Sequence, residues 1–168
     1  QTWHGTPLKR LALPRPGFDP RRAAAVVRES FRWDILLAQN PYAARVLRKA
    51  YAFLRRPVWV EGYPRNDVLV TGDGAATREA LGIAADERVI LYAPTWRDDR
   101  EEIVDFVDPA SLAADTGSVV LVRGHSRTLQ PGHDLAGPRV IDVTGFPDTS
   151  ALLLAADALV TDYSSVMF

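Results

Sequence analysis

Val89-Ile90-Leu91-Tyr92-Ala93-Pro94-Thr95-Trp96-Arg97 is the stretch on which the fold turns. Five consecutive apolar residues stopped by a proline read as a short strand buried in a parallel sheet. Three further runs repeat the pattern, at Val119 to Val122, Val140 to Val143, and Leu159-Val160. Helical stretches near Pro109 to Ala114 and Ser150 to Ala156 lie between them. Apolar strands alternating with helices predict an α/β fold in which helices cover both faces of a parallel sheet.

Toward the N-terminus the signals are shorter. Asp19-Pro20 combines an N-cap with a proline at the first helical position and starts a helix through about Ser30. Ile35 to Ala38 is a strand, and Asn40-Pro41 repeats the start signal for a helix to about Leu54 with Arg45, Arg48 and Lys49 on its cationic face. Val58 to Val60 is another strand, followed by Gly62-Tyr63-Pro64-Arg65-Asn66-Asp67. Residues 71–87, with Gly72, Gly74 and Gly82, read as a linker between one domain over 1–70 and a second over 88–168. The chain begins at Gln1 and closes on Ser and Asp residues suited to cap a helix, which leads to the expectation of an internal fragment.

Composition narrows the chemistry. With no cysteine there is no disulfide, thiolate metal site or cysteine nucleophile. No apolar run reaches the roughly 20 residues that a membrane-spanning helix needs. The net charge of −1 hides a division: residues 1–65 hold 13 basic and 4 acidic side chains (+9), and residues 66–168 hold 7 and 17 (−10). The basic clusters Lys9-Arg10, Arg21-Arg22, Arg48-Lys49 and Arg55-Arg56 fit an anionic membrane surface or a polyanionic substrate, and equally a solvated face paired with the acidic half.

Reactive groups cluster at the start and at strand ends. His4 stands in Gln1-Thr2-Trp3-His4-Gly5-Thr6-Pro7-Leu8-Lys9, beside a glycine that lets backbone approach a ligand, with a side chain suited to proton transfer near neutral pH. In a parallel sheet, ligands gather at the loops leaving the carboxyl ends of the strands. That rule selects Gly62 to Arg65, Pro94 to Arg97, Arg123-Gly124-His125 and Asp162 to Ser165. Their arginines, hydroxyls and amides suit a ligand with two phosphates. No Gly-x-Ser-x-Gly elbow, Walker loop or histidine pair at metal spacing is present, so neither a metal nor a cofactor is expected. The six carboxylates between Asp98 and Asp108 read as a solvated loop, His133 as surface, and Asp157, ahead of the last strand, as structural at the opposite edge.

Five strings taken together resemble one family. Gln1 to Lys9, Gly62 to Asp67, Tyr92 to Arg97, Arg123 to His125 and Thr161 to Ser165 look, in this order, like the successive motifs of the CDP-glycerol glycerophosphotransferases, the teichoic-acid primases and polymerases. The resemblance implies a GT-B-type fold. Residues 1–70 would then end an acceptor-side domain, and 88–168 would supply most of a Rossmann-like nucleotide-binding domain. It further implies transfer of glycerol phosphate from CDP-glycerol to a hydroxyl of a lipid-linked polyol-phosphate acceptor, with release of CMP, at the cytoplasmic face of the cell membrane. Nucleic acid is not an expected partner.

Carried onto this chain, the resemblance makes His4 the general base and His125 a second catalytic residue. It places Gly5, Thr6, Pro7 and Leu8 beside the base, Arg65 on the donor, and Pro94 and Thr95 against the nucleotide. Arg123, Gly124 and His125 would take the pyrophosphate together with Ser164 and Ser165. Use of CDP-ribitol, another GT-B transfer, or nucleotide binding without catalysis are the alternatives.

Overall fold

A computed structural model of the 168-residue chain describes residues 6–7, 10–94, 107–124 and 137–167, with the Ser165 side chain excepted. These divide into two compact units, up to Asn66 and from Asp67 to Met167.

The first unit holds α1 (Pro20–Ser30), β1 (Leu36–Ala38), α2 (Pro41–Ala50) and β2 (Val58–Val60). Both helices start as expected: the Asp19 carboxylate accepts from the Arg21 and Arg22 amides, and the Asn40 side chain accepts from the Ala43 amide, each ahead of a proline. β1 and β2 pair in parallel, with Leu36 opposite Val58 and Ala38 opposite Val60. Leu36, Ala38, Ala43, Leu47 and Phe53 form the core beneath them. Helix α2 ends at Ala50, four residues before the expected Leu54, because the chain turns left-handed at Ala52 (φ +50°). The Phe53 amide then returns to the Arg48 carbonyl at 2.9 Å and the Ala52 amide to Lys49 at 3.3 Å, which closes the helix end as a Schellman turn.

The second unit contains α3 (Val68–Thr71), α4 (Ala75–Ala80), β3 (Val89–Ala93), α5 (Pro109–Thr116), β4 (Val119–Val122), β5 (Val140–Asp142), α6 (Thr149–Ala155) and β6 (Ala158–Thr161). Its four strands are all parallel, in the order β5-β4-β3-β6. Every residue of β3 and β4 is buried. Val89, Leu91 and Ala93 face one layer with Leu121 and Leu152 of α6, whereas Ile90 and Tyr92 face the other with Val120, Val122 and Ala113 of α5. Burial on both faces explains why these strands are continuously apolar rather than alternating.

Residues 71–87, read above as a linker, are packed into this unit. A Cβ on Gly74 would run into the Leu154 carbonyl and Ala155, and one on Gly72 would sit 2.7 Å from the Val68 carbonyl oxygen and 2.8 Å from Leu154. Gly82 (φ +70°) closes α4 in a second Schellman turn, with the Ile83 amide 2.9 Å from the Arg78 carbonyl. These glycines serve close approach and helix ending, so residues that read as a linker mark dense packing instead. No helix among the described residues is long and apolar enough to cross a membrane.

Candidate functional site

In the second unit the chain passes from β3 to β4 on one side, yet β6 lies on the other side of β3. The strand order therefore reverses between β3 and β6, and the crevice outside the carboxyl ends at such a reversal is where open α/β sheets bind ligands. Pro94 follows β3 there and is partly buried. Across the reversal the Thr161 hydroxyl at the end of β6 donates to the Ala93 carbonyl at 2.6 Å, tying the two strand ends together. Beyond it the Ser164 hydroxyl accepts from the Val166 amide at 3.3 Å and opens a 3₁₀ turn over Ser165–Met167.

Arg123 and Gly124 leave β4 at the same edge. The Arg123 amide donates to the Tyr92 carbonyl at 2.9 Å, extending the ladder by one residue. Its guanidinium reaches over the end of β5, where Nη1 donates to the Phe146 carbonyl at 2.7 Å and the Val143 carbonyl at 3.2 Å. Burial pulls this guanidinium below its ordinary pKa, and the Asp148 carboxylate opposes that shift. The Gly124 amide donates to the Thr144 hydroxyl at 3.0 Å, and the Thr144 amide in turn donates to Asp142 at 2.8 Å. Arg123 thus stitches the β4 and β5 loops together at the carboxyl edge of the sheet.

The first unit has a carboxyl edge of its own. Thr6 is buried, and its hydroxyl donates to the side-chain oxygen of Gln39, the residue immediately after β1. Pro7 is buried beside it. The loop after β2 passes through Gly62 (φ +76°), with Tyr63 buried and Arg65 exposed, and the Arg65 guanidinium carbon lies 5.3 Å from the centre of the Tyr63 ring. The first unit thus assembles a piece of the opening motif, Gln39 and Arg65 at one sheet edge.

Of the residues selected from sequence, Thr6, Pro7, Arg65, Pro94, Arg123, Gly124 and Ser164 stand at the carboxyl edges of the two sheets. His4, Gly5, Leu8, Thr95 and His125 lie outside the described residues, as do His133 and the acidic run up to residue 106. The last carboxylate of that run, Asp108, caps α5 by accepting from the Ser111 amide at 2.9 Å and hydroxyl at 2.6 Å, and these bonds hold its pKa below the usual carboxylate range. Asp157 sits at the amino edge, away from these loops, accepting from the Val89 amide and from Arg78. Sequence reasoning missed Gln39 and Thr144, and it quoted Thr161 in a motif without giving it a role. Gln39 and Thr161 stand at strand ends, the signal that selected the others.

The sequence profile of the CDP-Glycerol:Poly(glycerophosphate) glycerophosphotransferase family matches residues 1–168. The chain belongs to this family. Among curated glycerophosphotransferase relatives, the teichoic acid poly(glycerol phosphate) polymerase of Staphylococcus epidermidis is 39% identical over 189 residues, covering 100% of this chain and 26% of the relative. The teichoic acid glycerol-phosphate transferase of Staphylococcus aureus is 39% identical over 191 residues, covering 100% of this chain and 48% of the relative. The chain therefore spans between about a quarter and a half of the curated glycerophosphotransferases it matches. A solved structure of the wall teichoic acid polymerase TagF superposes with a TM-score of 0.78 at 37% identity, over 99% of this chain and 46% of that one. A TagF histidine-to-asparagine variant soaked with CDPG superposes at 0.81, with 37% identity, over 99% of this chain and 45% of that one. The fold is thus shared with these glycerophosphotransferase structures: α/β, with Rossmann-like parallel sheets and flanking helices.

Proposed function

We propose that this chain carries the working part of a transferase that moves glycerol phosphate from CDP-glycerol to a hydroxyl of a lipid-linked poly(glycerol phosphate) acceptor in teichoic-acid synthesis. The observation that carries this reading is the family match along all of residues 1–168. The acceptor oxygen attacks the glycerol-bearing phosphorus, a new P–O bond forms, the P–O bond to CMP breaks, and CMP leaves. His4 takes the acceptor proton as general base. Arg65 binds the donor, and Pro94 and Thr95 border its nucleotide.

Arg123, Gly124 and His125 take the pyrophosphate together with Ser164 and Ser165, where charge develops on the leaving group. The location of Pro94, Arg123 and Ser164 at the edge of a parallel sheet with a strand-order reversal supports this division of labour. A basic first unit with Phe18 and Phe31 exposed beside α1 supports peripheral attachment at the cytoplasmic face of the membrane.

His4→Ala in the full-length protein tests the central step. A positioned base contributes about 10²–10⁴-fold. CMP release should drop on that scale while CDP-glycerol still binds, and near wild-type turnover would remove His4 from its role. Running CDP-glycerol and CDP-ribitol side by side in the same assay decides the polyol. Binding without CMP release from either would reduce the protein to a nucleotide-binding role.

A further inference from the structure

We infer that Tyr63 is a positioning residue that orients the Arg65 guanidinium toward a phosphate-bearing ligand, acting through its ring and not through its hydroxyl. The inference rests on the reading of Arg65 as a donor-binding residue and adds to it one contact that steadies Arg65. Gly62, at φ +76°, takes a conformation that suits glycine shortly after β2. Pro64 to Asn66 form a 3₁₀ turn closed by the Asn66 amide on the Tyr63 carbonyl at 2.9 Å. Two residues apart on this tight turn, Tyr63 is 4% exposed and fixed, whereas Arg65 is exposed. The guanidinium carbon stands over the ring, 5.3 Å from its centre.

Two features divide the labour between ring and hydroxyl. The Tyr63 hydroxyl is buried and has no hydrogen-bond partner among the described residues. Burial raises its pKa while Arg65 opposes the shift, so the hydroxyl stays protonated. A buried hydroxyl without a partner destabilises the folded state. The directional contact that Tyr63 does make is between its ring face and a cation. A guanidinium held over a ring keeps N–H groups that can grip a phosphate in bidentate fashion. Ordering a long arginine costs rotamer entropy on binding, and a fixed ring beneath it removes part of that cost beforehand.

The test uses the full-length protein with CDP-glycerol, reading KM, kcat and the melting midpoint. Tyr63→Leu should raise KM for CDP-glycerol by about 2–5-fold, the scale of an exposed cation–π contact, with kcat within about twofold of wild type. Tyr63→Phe should restore the wild-type KM and also raise the melting midpoint, because it removes the unpartnered hydroxyl. In an Arg65→Ala background, Tyr63→Leu should have no further effect on KM. If Tyr63→Leu fails to fold, Arg65→Lys keeps the charge without the planar face and should raise KM by a similar factor.

A KM that ignores both Tyr63→Leu and Arg65→Lys overturns the inference, and so does a Tyr63→Phe variant that loses donor affinity as Tyr63→Leu does. These outcomes leave wild-type CMP release intact. A wild-type protein that released no CMP from CDP-glycerol would instead overturn the transferase reading, and the Tyr63 role with it.

Discussion

Single residues in this chain show where local geometry and residue type disagree. Ala52 closes α2 from a left-handed conformation, the position of a Schellman turn that glycine normally fills, and Gly82 fills the equivalent position after α4. A Cβ in that region costs roughly 1–2 kcal/mol, offset in part by the larger entropy glycine loses on folding. Ala52→Gly should therefore stabilise the first unit by up to about 1 kcal/mol, visible as a higher urea midpoint at an unchanged slope. A lower midpoint would show that the turn is held by other forces.

Asp157 belongs to the same scale and answers to pH. The Val89 amide is the main cause of its lowered pKa, followed by hydrogen bonding and charge from Arg78, whose guanidinium lies 2.9 Å away. A group whose pKa is depressed on folding adds stability that is present in full above its unfolded value of about 4. That contribution disappears as pH falls through the lower folded value. The melting midpoint of the second unit should thus decline below about pH 4. Asp157→Asn should start lower at neutral pH and decline less. Parallel acid limbs for the two proteins would separate Asp157 from the effect.

At the scale of elements, α4 and α6 set the tightest tolerance. Gly74 lets the start of α4 meet the Leu154 carbonyl and Ala155 at backbone distance, and Arg78 of α4 donates to the backbone carbonyls of Ala155 at 2.8 Å and Glu87 at 3.1 Å. Gly74→Ala has no flexible side chain to push aside and must move backbone. The expected cost is about 1–3 kcal/mol, read by chemical denaturation, whereas an exposed glycine-to-alanine change is near neutral or stabilising. An unchanged midpoint would mean that α4 moves away from α6 freely.

The elements also show what could be read in advance. Continuous apolar runs betrayed β3 and β4 because both faces of those strands are covered. The stretch 71–87 was misread because glycine promotes turns, helix ends and close packing alike, and only the neighbour across the contact tells these apart. The α2 end escaped notice because an alanine occupies a glycine's position.

At the scale of the whole molecule, charge is the dominant asymmetry. Residues 1–65 carry +9 and residues 66–168 carry −10. The exposed Phe18 and Phe31 flank a helix whose Arg21 and Arg28 are also exposed. If this face meets an anionic leaflet, each basic residue near the surface contributes about 1 kcal/mol, and the attraction is screened within a Debye length of about 10 Å at 0.1 M salt. Co-sedimentation with vesicles containing anionic lipid should fall steeply between low and high salt, and Phe18→Ser with Phe31→Ser should weaken what salt leaves. Binding that ignores salt would rule out the electrostatic component.

What the sequence determined by itself was the class of fold, the parallel strands and the strand-end loops that carry Arg65, Pro94, Arg123 and Ser164, because apolar runs and turn residues are local signals. Tertiary structure alone decided the β5-β4-β3-β6 order, and with it the place where the strand order reverses. It also decided that Gln39 takes the Thr6 hydroxyl from 33 residues away, and that Arg123 spans to the carbonyls of Val143 and Phe146. Backbone carbonyls are the same in every residue, and a partner distant in sequence leaves no periodic trace. Such contacts exist only once the sheet has brought its strand ends to one edge.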